Sequence, residues 1–405
     1  MIKVKEISNK MVWITTVFLL SAITIFESYT WGKYILVLAC TIILVLDIWS
    51  GKGKYYLKFS QYHYFIIGLI MYTLLSSIWG INAGDCLTKT YTYIQILICM
   101  TIVYNHYRQF EDERQLLSII KWSSYIISIY SIIYYGFDFI LKMITTGVRI
   151  DNTYTNINTI GMLAAMGIVI QVDEMKRKHK VLVSSIFCVP SFIMVVATQS
   201  RKALLMLVVG VLLVFILRSV KKGKLFFNIL KIIGIVIIGI LLIKYLASFP
   251  IFSGINERME YLVAMFTGRG IIGQSAQIRQ KMIELGIEIF KSHPLVGIGI
   301  GCPHIIAGQV LNYDAYLHNN FVEMLAAGGI IGFLFYYFFS YGYLAVKFFK
   351  LKREKDNYWV ICCVLWVLLL FRDYALVSMY SKETYFYFMI FFLTIEKMNE
   401  RKEII

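Results

Sequence analysis

Apolar runs of close to twenty residues alternate with short polar connections along almost the whole chain. Ala203 to Leu217 and Tyr358 to Phe371 hold almost no polar side chain. Runs of this kind predict helices that cross a bilayer, because the hydrocarbon core is about 30 Å thick and a helix rises about 1.5 Å per residue. The pattern predicts an all-α polytopic membrane protein with about twelve transmembrane helices. They are expected over 11–27, 34–49, 62–80, 91–105, 117–141, 156–172, 181–198, 203–217, 225–247, 320–346, 358–372 and 384–396. One connection breaks the rhythm. Residues 248–318 form a polar stretch of about seventy residues, so the chain divides into 1–247, 248–318 and 319–405. Binding and catalytic groups concentrate on loops held by a rigid scaffold, which makes this stretch the expected seat of chemistry.

Inside that loop the period becomes helical. From Arg279 to Ser292, Met282, Leu285, Ile289 and Phe290 fall on one face, with Arg279, Glu284 and Glu288 elsewhere. His293-Pro294 is expected to stop the helix, since a residue before proline is pushed out of helical geometry. Gly297, Gly299 and Gly301 follow at every second position, a spacing that permits a tight turn and a backbone cradle for phosphate. A flexible linker is the plainer reading of the same glycines.

Composition supports the membrane class. The chain of 405 residues is 59% apolar and 16% charged, against about 45–50% and about 25% for soluble domains. Its mean hydropathy is +0.69. The net charge of +16 would suggest nucleic acid in a soluble protein. Here basic residues that orient helices account for it, and no nucleic-acid partner is expected. With both termini inside, the cytoplasmic segments hold more than half of the chain's 40 Lys and Arg. The short external loops hold far fewer, which puts 248–318 on the extracytoplasmic face. Met11 to Phe26 lacks a small-residue cleavage site and is expected to be the first span rather than a signal peptide. Of the seven cysteines, Cys86 and Cys302 fall in external segments, outside any CxxC or zinc spacing, and a disulfide between them is not expected.

An external site excludes ATP-driven chemistry, and the sequence holds no Gly-rich Lys-Ser/Thr phosphate loop. It also holds no Asp-x-Asp pair for a metal-bound nucleotide sugar. Any reaction there needs a substrate that arrives already activated, such as a lipid-linked pyrophosphate. Two elements carry the candidate chemistry. Thr198-Gln199-Ser200-Arg201-Lys202 is a very short external turn between apolar runs. Its cations either snorkel to the interface or clamp an anion there, and arginine suits phosphate through its planar fork. Tyr316-Leu317-His318-Asn319-Asn320 lies where the long loop re-enters the membrane. A lone histidine is most often structural, but a neutral imidazole at this position can take a proton from a hydroxyl near neutral pH. Tyr154, Tyr261, Tyr313 and Tyr316 sit near the outer face, as an aromatic belt or as platforms for sugars. Gly328, Gly329 and Gly332 are expected to let helices pack closely.

Three motifs in this order resemble the O-antigen polymerase and O-antigen ligase superfamily of bacterial membrane glycosyltransferases. They are Ser200-Arg201-Lys202-Ala203-Leu204; Arg279 with His293-Pro294-Leu295-Val296-Gly297-Ile298-Gly299; and His318-Asn319-Asn320-Phe321-Val322-Glu323 with Gly329-Ile330-Ile331-Gly332. The motif-bearing part runs from about 198 to 335, and the N-terminal half is similar only in its pattern of spans. The resemblance implies Arg201, Arg279 and His318 as catalytic residues. Asn319, Lys202, Gly297, Gly299 and Tyr316 are candidate substrate-binding residues. Lys281-Met282-Ile283 stands where the family's loop helix often carries tryptophan. The implied donor and acceptor are undecaprenyl-pyrophosphate-linked glycans in the bacterial cytoplasmic membrane, used with no metal or other cofactor. The implied function is polymerisation of repeat units for O-antigen, capsular or other surface polysaccharide. A ligase that moves a finished glycan to lipid A core or another acceptor shares the same residues. A flippase or transporter for the same lipid-linked sugar is the alternative of another class, and a chain-length regulator and a flippase stay open as partners.

Overall fold

A computed structural model describes residues 2–26, 29, 32–51, 57–109, 114–146, 155–178, 185–219, 274–350 and 358–404, with nine more between 227 and 245. Every regular element among them is helical. The first nine helices are α1 (Ile2–Ile25), α2 (Gly32–Ser50), α3 (Gln61–Ser76), α4 (Ala83–Arg108), α5 (Arg114–Tyr135), α6 (Phe137–Thr146), α7 (Ile157–Lys178), α8 (Val189–Ala197) and α9 (Arg201–Ser219). Then come α10 (Gln274–Ser292), α11 (Pro303–Leu311), α12 (Asn320–Tyr337), α13 (Tyr343–Lys350), α14 (Tyr358–Ala375) and α15 (Lys382–Ile404). A π-helical turn over Phe338–Gly342 joins α12 to α13.

Eight of the described helices are long and apolar enough to cross a membrane. The expected span at 62–80 becomes α3, whose 16 residues are shorter than a full crossing. The span expected at 384–396 lies in α15, which continues into Lys397 and Glu400. The expected span at 225–247 falls mostly outside the described residues, as do 248–273 with Arg258 and Arg269.

Two helices form the centre. In α15 every residue from Tyr385 to Phe391 is 0% exposed; a helix that is apolar all round finds neighbours on every side. In α7, Gly161 and Gly167 meet Thr198, Ala203 and Ser124 so closely that an added Cβ would overlap them. Small residues let neighbouring helices approach in this way.

Ion pairs gather at one end of the bundle. Arg108 reaches Glu396 at 2.5 Å and Glu400 at 3.1 Å, Lys121 reaches Glu174 at 2.5 Å, and Arg218 reaches Asp173 at 2.6 Å. A different set of connections meets at the other end. There His304 bonds Asp314 at 2.6 Å and lies 3.4 Å from Asp85. In the first set Arg108, Asp173, Glu174, Arg218 and Glu400 come from segments the charge pattern puts on one side, and the second set comes from segments it puts on the other.

Candidate functional site

The site is built where α9, α10 and α12 begin or end at this second end. Gln199 adopts a left-handed φ of 47° and its amide donates to the Met143 carbonyl. Ser200 Oγ accepts the N–H of Ala203 at 3.4 Å, capping α9. Arg201 and Lys202 therefore occupy the first turn of a 19-residue helix. Cations are unfavourable beside the positive end of a helix dipole. The arrangement breaks a local rule that a bound anion would repair.

The second element is α10. Met282, Leu285 and Ile289 are buried against Cys86, Ile298, Cys302, Leu317 and Ala326, as the apolar face predicts. Gly286 admits Leu317 and Val322 against the helix, so α10 lies on the chain that carries His318. The helix ends at Ser292, and His293 is exposed.

Gly297, Gly299 and Gly301 all have positive φ, at 66°, 104° and 96°. Their N–H groups are taken by the protein: Gly297 donates to His293 O, Gly299 to Ala327 O and Gly301 to Tyr380 Oη. A Cβ at Gly297 would sit 2.5 Å from Ala327, and one at Gly299 would sit 2.7 Å from Gly80. The loop is glycine-rich because it packs backbone against backbone, and the phosphate cradle expected of Gly297 and Gly299 has no free donors there.

The loop packs into a break in α12. Gly329 is non-helical, with φ 59° and ψ −166°. Ala326 and Ala327 carbonyls accept from Ile298 and Gly299, while Ile330 and Ile331 donate to Pro294 and Leu295. Gly329 thus breaks the helix to dock the loop, whereas Gly328 and Gly332 pack against Tyr72, whose hydroxyl donates to Gly328 O.

His318 sits at the start of α12 with a left-handed φ of 59° and is half-buried. Asn319 caps the helix by accepting the Val322 N–H at 3.1 Å, so its side chain is structural in this conformation. Asn320 is fully buried; its amide donates to Asp373 and its carbonyl oxygen accepts the N–H groups of Ser378 and Met379. That network ties the link between α14 and α15 to the histidine turn. Burial lowers the His318 pKa from its ordinary 6.5 to about 4, with the positive charges of Arg279 and then Lys202 pushing the same way. The structure therefore brings His318, Arg279 and Lys202 into one electrostatic neighbourhood, with Arg201 one residue from Lys202 on α9. A neutral imidazole beside cations at a helix N-terminus can receive a proton while an anion is held.

Around it lie groups that sequence patterns do not single out. Lys89 of α4 bonds Tyr316 Oη at 2.9 Å and lies 4.4 Å from the centre of the Tyr380 ring. Tyr380 also lines a cavity of about 350 Å³ with Lys33, Tyr91, Gln95 and Lys382. Tyr313 and Tyr316 are exposed, and the Tyr313 ring lies 6.4 Å from that of His318. Cys86 and Cys302 are free thiols, buried with their sulfurs 3.7 Å apart. Among the described residues, no group of three or more His, Cys, Asp or Glu is placed to hold a metal ion.

The sequence model of the family described as O-antigen ligase matches residues 186–337. That segment contains Arg201, Lys202, Arg279, the glycine loop, His318 and the broken helix α12. No curated protein matches the chain.

Proposed function

We propose that this chain, a member of the O-antigen polymerase and ligase superfamily by its 186–337 segment, polymerises undecaprenyl-pyrophosphate-linked oligosaccharide repeat units on the extracytoplasmic face. The observation that carries the reading is the docking of α10, which bears Arg279, on the chain either side of His318, where Leu317 and Val322 lie against Gly286. The charges of Arg279 and of Lys202 on α9 are near enough to push the His318 pKa down. In the reaction, an acceptor sugar hydroxyl attacks the anomeric carbon of the donor glycan. The bond from that carbon to the lipid pyrophosphate breaks, and the pyrophosphate leaves with the electron pair. His318 takes the hydroxyl proton. Arg201, Arg279, Lys202 and the N–H groups opening α9 stabilise charge on the departing phosphate, where it develops. Fixed cations in those places make the transfer independent of a metal ion.

A ligase reading has its own support in the description of the matched family. The two activities share the bond broken and differ in the acceptor. Purified protein given a labelled lipid-linked repeat unit separates them. A ladder of lipid-linked oligomers supports the polymerase. Product formed only when a second acceptor is added supports the ligase. Movement of substrate across the bilayer with no new glycosidic bond supports a transporter. The break in α12 does not favour that last reading, because loop 294–299 takes up the freed backbone groups.

A further inference from the structure

We infer that Glu323 is a positioning residue, which holds His318 in its left-handed turn and connects that turn to the glycine loop through Tyr380. The inference rests on His318 being the proton acceptor proposed above. Glu323 lies on the first turn of α12 and is 0% exposed. A fully buried carboxylate must have its oxygens satisfied, and those of Glu323 are used on two sides. Oε2 accepts the N–H of Leu317 at 2.9 Å, the residue immediately before His318. Oε1 accepts the hydroxyl of Tyr380 at 3.2 Å. Tyr380 Oη in turn accepts the N–H of Gly301 at 3.0 Å.

One carboxylate thus spans three segments distant in sequence: the approach to His318, the link between α14 and α15, and the end of the glycine loop. A φ of 59° is uncommon for a residue with a side chain, so the His318 turn draws on support from its flanks. The Asn319 cap fixes the following residue, and Glu323 fixes the preceding one. Together they clamp both flanks of the histidine. The charged and titratable groups facing the imidazole are Arg279 from α10, Lys202 from α9 and the Tyr313 ring from its own loop. Glu323 bonds the Leu317 N–H and the Tyr380 hydroxyl, and acts on His318 through the backbone.

The full-length protein in detergent tests this with Glu323→Ala, Glu323→Asp and Glu323→Gln. Gln keeps an oxygen for the Leu317 N–H and donates an N–H to Tyr380 Oη, whose own hydrogen must turn away, so it keeps the Leu317 contact without the charge. Asp is too short to reach both partners. Expected values of kcat fall on the order of 10²-fold for Ala and Asp, as for a displaced catalytic group, with KM little changed, and Gln recovers most of the loss. A substrate-free readout stands beside the kinetics. His318 is titrated by nitrogen NMR of labelled imidazole, with His318→Ala identifying its signal. Its pKa is expected to rise toward the ordinary value in Ala and Asp and to stay low in Gln. If wild-type protein joins no repeat units, the polymerase reading fails while the titration still decides the role of Glu323. Equal damage from Ala and Gln, or an unmoved His318 titration in Ala, would overturn the inference.

Discussion

After burial, the positive charge of Arg279 is the strongest influence keeping the imidazole of His318 neutral. The two residues belong to different helical segments, and Gly286 lets Leu317 and Val322, on either side of His318, lie against α10. Burial and that charge together keep the imidazole unprotonated at neutral pH. An anion bound there would cancel part of the repulsion and raise the proton affinity of His318 when a proton has to be accepted.

That coupling has a sign that can be measured. In the proposed mechanism the active form is the neutral imidazole, so activity is lost as pH falls through the His318 pKa. The acid limb of kcat/KM, which reports the free enzyme, is expected near pH 4 rather than near 6.5. The acid limb of kcat is expected higher, because pyrophosphate is then bound. Arg279→Ala should move the kcat/KM limb upward. A limb that stays in place in this variant would separate the two residues functionally.

Charge alone is not what the cation sites require. Arg201→Lys and Arg279→Lys keep the charge and lose the two-pronged grip on phosphate oxygens. Both are expected to shorten or abolish polymer in a null strain complemented with each variant. Arg258→Lys and Arg269→Lys, outside the described residues, are expected to be tolerated. Wild-type ladders from both Arg201→Lys and Arg279→Lys would turn these side chains back into interface anchors.

Gly329 permits a stability test with an internal control. Its φ of 59° and ψ of −166° lie in a region that only glycine enters easily, and a Cβ would stand 2.4 Å from the Leu295 backbone. Gly136 also has a positive φ, at 79°, but an added Cβ meets nothing within 4 Å. Gly136→Ala should cost about 1 kcal/mol of backbone strain. Gly329→Ala should cost more, because the loop and α12 must separate. Thermal melts in detergent compare the two, and equal melting points would show that the break in α12 is not needed.

Much of this was legible in the sequence, and the parts that were not share a cause. Continuous apolar runs placed both ends of α9 within two residues and the start of α7 within one, and Pro294 marked the end of α10. The run at 320–346 was equally continuous, yet α12 breaks at Gly329, because the partner that breaks it lies more than thirty residues earlier in the chain. The spacing of Gly297, Gly299 and Gly301 indicated unusual backbone, and all three have positive φ in a closely packed loop. Lys89 and Tyr380 reach the site from α4 and the α14–α15 link, a proximity that no local period encodes. The available signal was a lysine flanking a span at the end where basic residues are scarce.

Sidedness can be read in intact cells. The charge asymmetry of the short connections predicts that α10 begins outside. A cysteine placed at Gln274 in a background lacking other reactive thiols should be labelled by a membrane-impermeant maleimide before lysis. Labelling only after lysis would place the site on the cytoplasmic side and remove the lipid-pyrophosphate reading with it.

The most direct test is a reconstituted transfer reaction with purified protein, a lipid-linked repeat unit and EDTA. Wild-type protein is expected to build oligomers under these conditions. His318→Ala, present at normal levels in the membrane, should lose on the order of 10²–10⁴-fold in rate, as when a general base is removed. His293→Ala should stay active, since His293 is exposed at the end of α10. His304→Ala should also keep substantial activity, since His304 pairs with Asp85 and Asp314 rather than with any group assigned to the reaction. Normal polymerisation by His318→Ala, or loss of wild-type activity in EDTA with recovery on adding a divalent ion, would contradict the mechanism.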